Sequence, residues 1–141
     1  NIFFQGALGG EIFNANRLQI EGMDAARNQS TAVLDRWTGE GTSNTMPRAV
    51  FGDPAQNNRI SDRYVEDGSY LRLKTLSLGY TLPETYSRKI KASALRVYVT
   101  AQNLLTITRY SGIDPEVGIN GIDNNLYPLT RVISVGANMS F

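Results

Sequence analysis

The clearest signal in the chain is a two-residue period. From Leu95, apolar side chains recur as Leu95, Val97, Val99, Ala101, Leu105 and Ile107, and Arg96, Tyr98, Thr100, Gln102, Thr106 and Thr108 fill the alternate positions, with Asn103 and Leu104 as exceptions. Alternation of that length predicts one long strand with an apolar and a polar face. The tail repeats it: Leu129, Ile133, Val135, Ala137, Met139 and Phe141 oppose Thr130, Ser134, Gly136, Asn138 and Ser140. From Ser69 to Leu82 the pattern is less regular. Leu76, Leu78, Tyr80 and Leu82 share a face opposite Ser77, Gly79 and Thr81, but the same register carried backward sets Arg72 and Lys74 on the apolar face. Either a bulge near Thr75 resets the phase, or the upper strand rises out of the apolar layer to where basic side chains are tolerated. The second is the expectation. An apolar run at Ile2, Phe3 and Phe4 adds a first strand, only partly present.

The connections alternate in length. Pro83 to Ser93 is a tight basic link, Tyr110 to Pro128 a longer loop rich in Gly, Asn and Asp, and Leu8 to Gly68 a still longer irregular stretch. Within the last, Ser30 is placed to cap a short helix from Thr31 to Trp37, with Ala32, Val33, Leu34 and Trp37 as its apolar contacts and Gly39 ending it. Long strands with one continuous apolar face, joined alternately by long and short connections, form the pattern of a transmembrane antiparallel β-barrel with its long loops outside. Strands in lipid must have every backbone group paired, so four strands need the rest of a closed wall. The chain is therefore expected to be a piece of a larger barrel, and it begins on Asn1 inside an apolar stretch without an initiator Met. The competing reading is a soluble β-sandwich or small β-barrel that binds a ligand, whose strands are commonly shorter and more evenly spaced.

Composition narrows the chemistry. At 141 residues and 41% hydrophobic the chain is too apolar to be disordered. Its net charge of +1 argues against bulk nucleic-acid binding; the basic run Arg88, Lys89, Lys91 and Arg96 reads as a solvated turn. With neither Cys nor His, it lacks a thiol nucleophile, an imidazole base and the usual soft metal ligands. No enzyme activity, cofactor or metal is expected.

The final residues carry a further signal. Ser134, Gly136, Met139 and Phe141 fit the C-terminal assembly signal of outer-membrane barrels: a polar residue, Gly two later, then apolar residues at the antepenultimate and last positions. In that reading Phe141 sits in the periplasmic aromatic girdle, and its strand closes the barrel.

The runs "NQSTAVLDRW", "DRYVEDGSYLRLKTLSLGYTLP", "LRVYVTAQNLLTITRYSGIDPEVG" and "YPLTRVISVGANMSF" resemble, in order and over essentially the whole chain, the C-terminal end of SusC/RagA-type TonB-dependent transporters of the Bacteroidetes outer membrane. The resemblance implies that residues 1–141 are the C-terminal portion, about four strands, of a plugged barrel of about 22 strands, all-β with one short helix in an extracellular loop. It also implies import of glycan or peptide fragments with TonB-derived energy, a SusD-like surface lipoprotein as partner, and contact with outer-membrane lipid. TonB would act through an N-terminal part that has no counterpart here.

Candidate sites follow from placement. Arg96, Tyr98, Gln102 and Thr106 share the polar face, so they would line the lumen and meet the plug or a passing substrate. Asp114, Glu116 and the run Asp123 to Asn125 fall in an outer loop, where they supply either oxygen ligands for a hard cation or Asx turns around Pro115, Gly118 and Gly121. Trp37, in the long outer loop, would stack on a sugar or peptide or pack within the loop.

Overall fold

The computed structural model describes residues 1–23 and 27–141. These fall into two units: Asn1–Leu8 with Ser69–Arg109 and Pro128–Phe141, and Gly9–Gly68 with Tyr110–Tyr127.

The first unit is one antiparallel sheet. Its strands are β1 (Ile2–Ala7), β4 (Tyr70–Thr81), β5 (Ala94–Thr108) and β7 (Val132–Ser140), in the order β1-β4-β5-β7. A tilted strand needs about 9–11 residues to cross a membrane; β4 has 12, β5 has 15 and β7 has 9. The sheet is open in this chain, with β1 and β7 as its edges. Register sets the faces. Leu76, Ala101 and Ile133 stand in one row, Leu78, Val99 and Val135 in the next, and Tyr80, Val97 and Ala137 below them. This apolar face is open: Leu78 is 62% exposed, Ile133 68% and Val135 78%. Such a surface is unfavourable in water and suits lipid.

The upper part of β4 corrects the sequence reading. Pairing shifts between Leu73 and Thr75 against β5, and opposite Phe3 and Phe4 against β1, so Lys74 is the residue at which the phase resets. The bulge, not a rise out of the apolar layer, resolves the irregular pattern. Leu71 and Leu73 thereby join the apolar rows through Ile107 and Leu105, while Arg72 falls opposite Gln5 and Thr106. Buried to 2% exposure, the Arg72 guanidinium donates from Nε to the Thr106 hydroxyl at 2.9 Å and lies 5.6 Å from the Tyr70 ring. A buried cation needs such partners. Across from the bulge, Asn103 takes a left-handed φ of 51°, a conformation Asn tolerates better than most residues.

One end of the sheet carries the short link. There α2 (Glu84–Ser87) and a 3₁₀ turn at Arg88–Ile90 end on Lys91 in the left-handed region, and Ser93 N–H donates to the Ser140 carbonyl at 2.7 Å. The chain terminus lies at this end. At the other end Ala7 pairs with Tyr70 and Tyr70 with Thr108, so both segments of the second unit depart from there.

The second unit is more ordered than its sequence suggests. It holds β2 (Glu11–Asn14), α1 (Ala15–Ile20), β3 (Val65–Asp67) and β6 (Ile122–Asp123), with β2 antiparallel to β3 and parallel to β6. Asn14 caps α1 by accepting from the Arg17 backbone N–H at 2.9 Å. The helix expected at Thr31–Trp37 is instead a 3₁₀ turn at Thr31–Asp35, with Ser30 accepting from Ala32 N–H and Arg36 already extended. Thr31 and Val33 are β-branched, which weakens an α-helix this short. Ile12, Met46, Tyr64 and Tyr110 form the buried apolar set of this unit.

Candidate functional site

The polar face of the sheet brings the four lumen candidates together on β5. Its rows read Thr81, Arg96, Asn138; then Gly79, Tyr98, Gly136; then Ser77, Thr100, Ser134; and Gln102 stands between Thr75 and Val132. Two large side chains are flanked by glycine. A Cβ on Gly136 would meet the Tyr98 ring at 2.5 Å, and one on Gly79 would meet the Arg96 guanidinium at 2.7 Å. Tyr98 and Arg96 are thus laid down over neighbouring backbone, a known use of glycine beside aromatics in strands. Gly136, expected from sequence as part of an assembly signal, lies beside the Tyr98 ring in the structure. Thr106 receives the Arg72 hydrogen bond.

The second unit is built round two carboxylates. Glu66 Oε2 accepts from the Ser111 backbone N–H at 2.8 Å, and its Oε1 accepts from Ser111 Oγ at 2.8 Å, Asn14 Nδ2 at 3.1 Å and Arg17 Nη1 at 3.1 Å. Burial alone would raise the Glu66 carboxyl; the hydrogen bonds from Ser111, Arg17 and Asn14 outweigh it and hold it below the usual carboxylate range. Arg17 also pairs with Glu21 at 2.7 Å, and Glu21 with Arg63 at 3.2 Å. Burial would lower the Arg17 guanidinium, and the two carboxylates reverse that and raise it. The fully buried Tyr64 ring has the Arg17 guanidinium 5.9 Å and the Arg63 guanidinium 5.4 Å from its centre.

Asp123 is the second hub. Its Oδ2 accepts from the Tyr110 hydroxyl at 2.6 Å and its Oδ1 from Asn16 Nδ2 at 3.2 Å. Burial first, and then this bond to Asp123, push the Tyr110 hydroxyl well up. Of the loop acids singled out from sequence, Asp123 is therefore a buried brace. Asp114 accepts from the Glu116 backbone N–H at 2.9 Å, the geometry of an Asx turn. Trp37 is half-buried with the Arg48 guanidinium 5.7 Å from its ring. Sequence reasoning passed over Glu66, Arg17 and Tyr64. The available signal was the Asn14 cap followed by Arg17 and Glu21 at i,i+4.

No model of a protein family matches the chain. Individual proteins do. TonB-dependent receptor P3 of Formosa agariphila is 40% identical over 152 residues, spanning 100% of this chain and 15% of the receptor. TonB-dependent receptor SusC of Bacteroides thetaiotaomicron is 35% identical over 116 residues, covering 81% of this chain and 11% of SusC. Among solved structures, the RagAB peptide transporter superposes with a TM-score of 0.85 at 30% identity, over 99% of this chain and 15% of that one. The chain belongs to the SusC/RagA family of TonB-dependent receptors. Relatives in this family are receptors and transporters, not enzymes, and the segment described spans about 15% of their length. The open sheet and the second unit together match the corresponding part of the RagAB transporter over 99% of this chain.

Proposed function

We propose that this SusC/RagA segment is the closing part of an outer-membrane barrel that imports glycan or peptide fragments. The likeness to the RagAB peptide transporter over 99% of the chain carries the reading. In it, Leu78, Val99, Ile133 and Val135 face lipid, whereas Arg96, Tyr98 and Gln102 face the lumen, against the plug or the substrate. The tight link at Pro83–Ser93 and Phe141 lie on the periplasmic side, and the Glu66 and Asp123 unit lies outside the cell. Energy comes from TonB through a plug that this segment does not contain, and a SusD-like lipoprotein closes over the outer mouth. The exposed apolar rows of the sheet support a lipid environment over the soluble-sandwich reading.

The test uses the whole gene. A tagged full-length receptor should fractionate with the outer membrane and require detergent for extraction. Its deletion should abolish energy-dependent uptake of at least one class among labelled oligosaccharides and oligopeptides. Recovery of the intact receptor in the soluble fraction would overturn the proposal.

A further inference from the structure

A wide-mouthed cavity of about 600 Å³ opens on the surface of the second unit, lined in part by Trp37 and Arg63 and by the exposed Arg48 and Arg59. Three arginines line it and no acid does. Arg63 pairs with Glu21 at 3.2 Å, a carboxylate it shares with Arg17. Arg48 has only the Trp37 ring beside it, and Arg59 has no ion pair or side-chain hydrogen bond among the described residues. The nearby Asp53 carboxylate does not serve them. It accepts from Asn58 N–H at 2.8 Å and Asn57 Nδ2 at 3.2 Å, bonds that outweigh its slight burial and keep it below the usual range. Two guanidinium forks are therefore left to meet an anion, and their planar donors match carboxylate or sulfate oxygens.

The rest of the wall decides what carries the anion. Asn44, Gln56 and Ser61 line the same cavity, and their side chains make no hydrogen bond among the described residues. Neutral amides and hydroxyls beside an indole suit the hydroxyls and C–H faces of a sugar ring. A peptide held in the commonest extended mode would instead need a free strand edge, and residues 43–61 contain no strand. Asp53 and Gln56 both hold left-handed φ values, 40° and 52°, strain that persists only where the surroundings fix it.

We propose that this cavity binds an anionic unit of a glycan, a sugar bearing a carboxylate or sulfate group, with the anion on Arg48 and Arg59. The proposal rests on the import reading and narrows its substrate class. Purified full-length receptor in detergent, with its Arg48→Gln/Arg59→Gln counterpart, is titrated by calorimetry with four probes: a galacturonate tetramer, a sulfated galactan tetramer, maltotetraose and tetraglutamate. One or both anionic sugars should bind, more weakly at high salt, and lose about tenfold or more in affinity in the double variant. Which one binds separates carboxylate from sulfate. Equal affinity of parent and variant for the anionic sugars, binding by neither, or an arginine-dependent preference for tetraglutamate would overturn the proposal. Should the glutamine variant not assemble, Arg48→Lys/Arg59→Lys keeps the charge and removes the fork, and unchanged affinity there would overturn it equally. Uptake of the bound probe is followed in parallel. Energy-dependent uptake by parent cells that ignores Arg48 and Arg59 defeats the cavity assignment alone, whereas a receptor found outside the outer membrane defeats the import reading.

Discussion

A side chain on Gly136 would have to displace the Tyr98 ring, which stands 2.5 Å from where its Cβ would lie. Gly136→Val is expected to destabilise the assembled receptor by about 1–3 kcal/mol, the usual cost of overpacking, and Tyr98→Ala in the same chain should recover part of the loss. Urea titration of the heat-modifiable band measures both; independent, additive effects would show that the ring does not lie there. Glu66 supplies a pH test. Its folded carboxyl is depressed from the ordinary 4.5, so its contribution is present above that ordinary value and is lost as pH falls through the lower folded one. Pepsin should therefore nick the Gly9–Gly68 segment increasingly at the acid end in the parent, and Glu66→Gln should be nicked already at milder acidity. Phe141, 88% exposed, is tested as an assembly anchor. Phe141→Asp should lower the amount of receptor in the outer membrane and leave ligand affinity of the folded fraction unchanged; normal abundance with lost affinity would place Phe141 in a binding site.

The long strands were legible because a sheet with one apolar and one polar face imposes alternation along each strand, as at Leu95–Ile107 and Ile133–Met139. Val135→Arg puts a charge on the exposed apolar row, and should cost about 2–4 kcal/mol of barrel stability if near the midplane. Unchanged stability in urea titration would argue against a lipid face. Other elements left no periodic trace. The strands β2, β3 and β6 have 4, 3 and 2 residues, too few to show a period, and their partners are distant in sequence. The bulge at Lys74 was visible only as a break in pattern, which two physical causes explain equally well until the pairing register is known. The Glu66 and Asp123 hubs were hidden for a related reason. An acid in a Gly- and Asn-rich loop reads as solvated, and only tertiary contacts bury it.

For the receptor as a whole, the two ends of the sheet differ in kind, one carrying a short turn and the chain terminus, the other both long insertions. A protease of broad specificity applied to intact cells is expected to cleave within Gly9–Gly68 and Tyr110–Tyr127 and to spare Pro83–Ser93, whose Lys89 and Lys91 a membrane-impermeant amine-reactive label should also miss. Modification of the short turn alone would invert the topology.

The second unit is stitched from two stretches that flank the β4–β5 hairpin. Asn14 reaches Ser111 and Asn16 reaches Asp123, pairs separated by 97 and 107 positions. Bringing such distant residues together in an open chain carries a loop-closure entropy that grows with their separation. The pairing of Tyr70 with Thr108 removes most of that separation beforehand, since it sets the two departure points side by side. The second unit is thus expected to order after the hairpin has paired in correct register. A hairpin slipped in register is expected to leave the two segments unpaired and open to cleavage, so that proteolysis of Gly9–Gly68 reports on the pairing of β4 with β5.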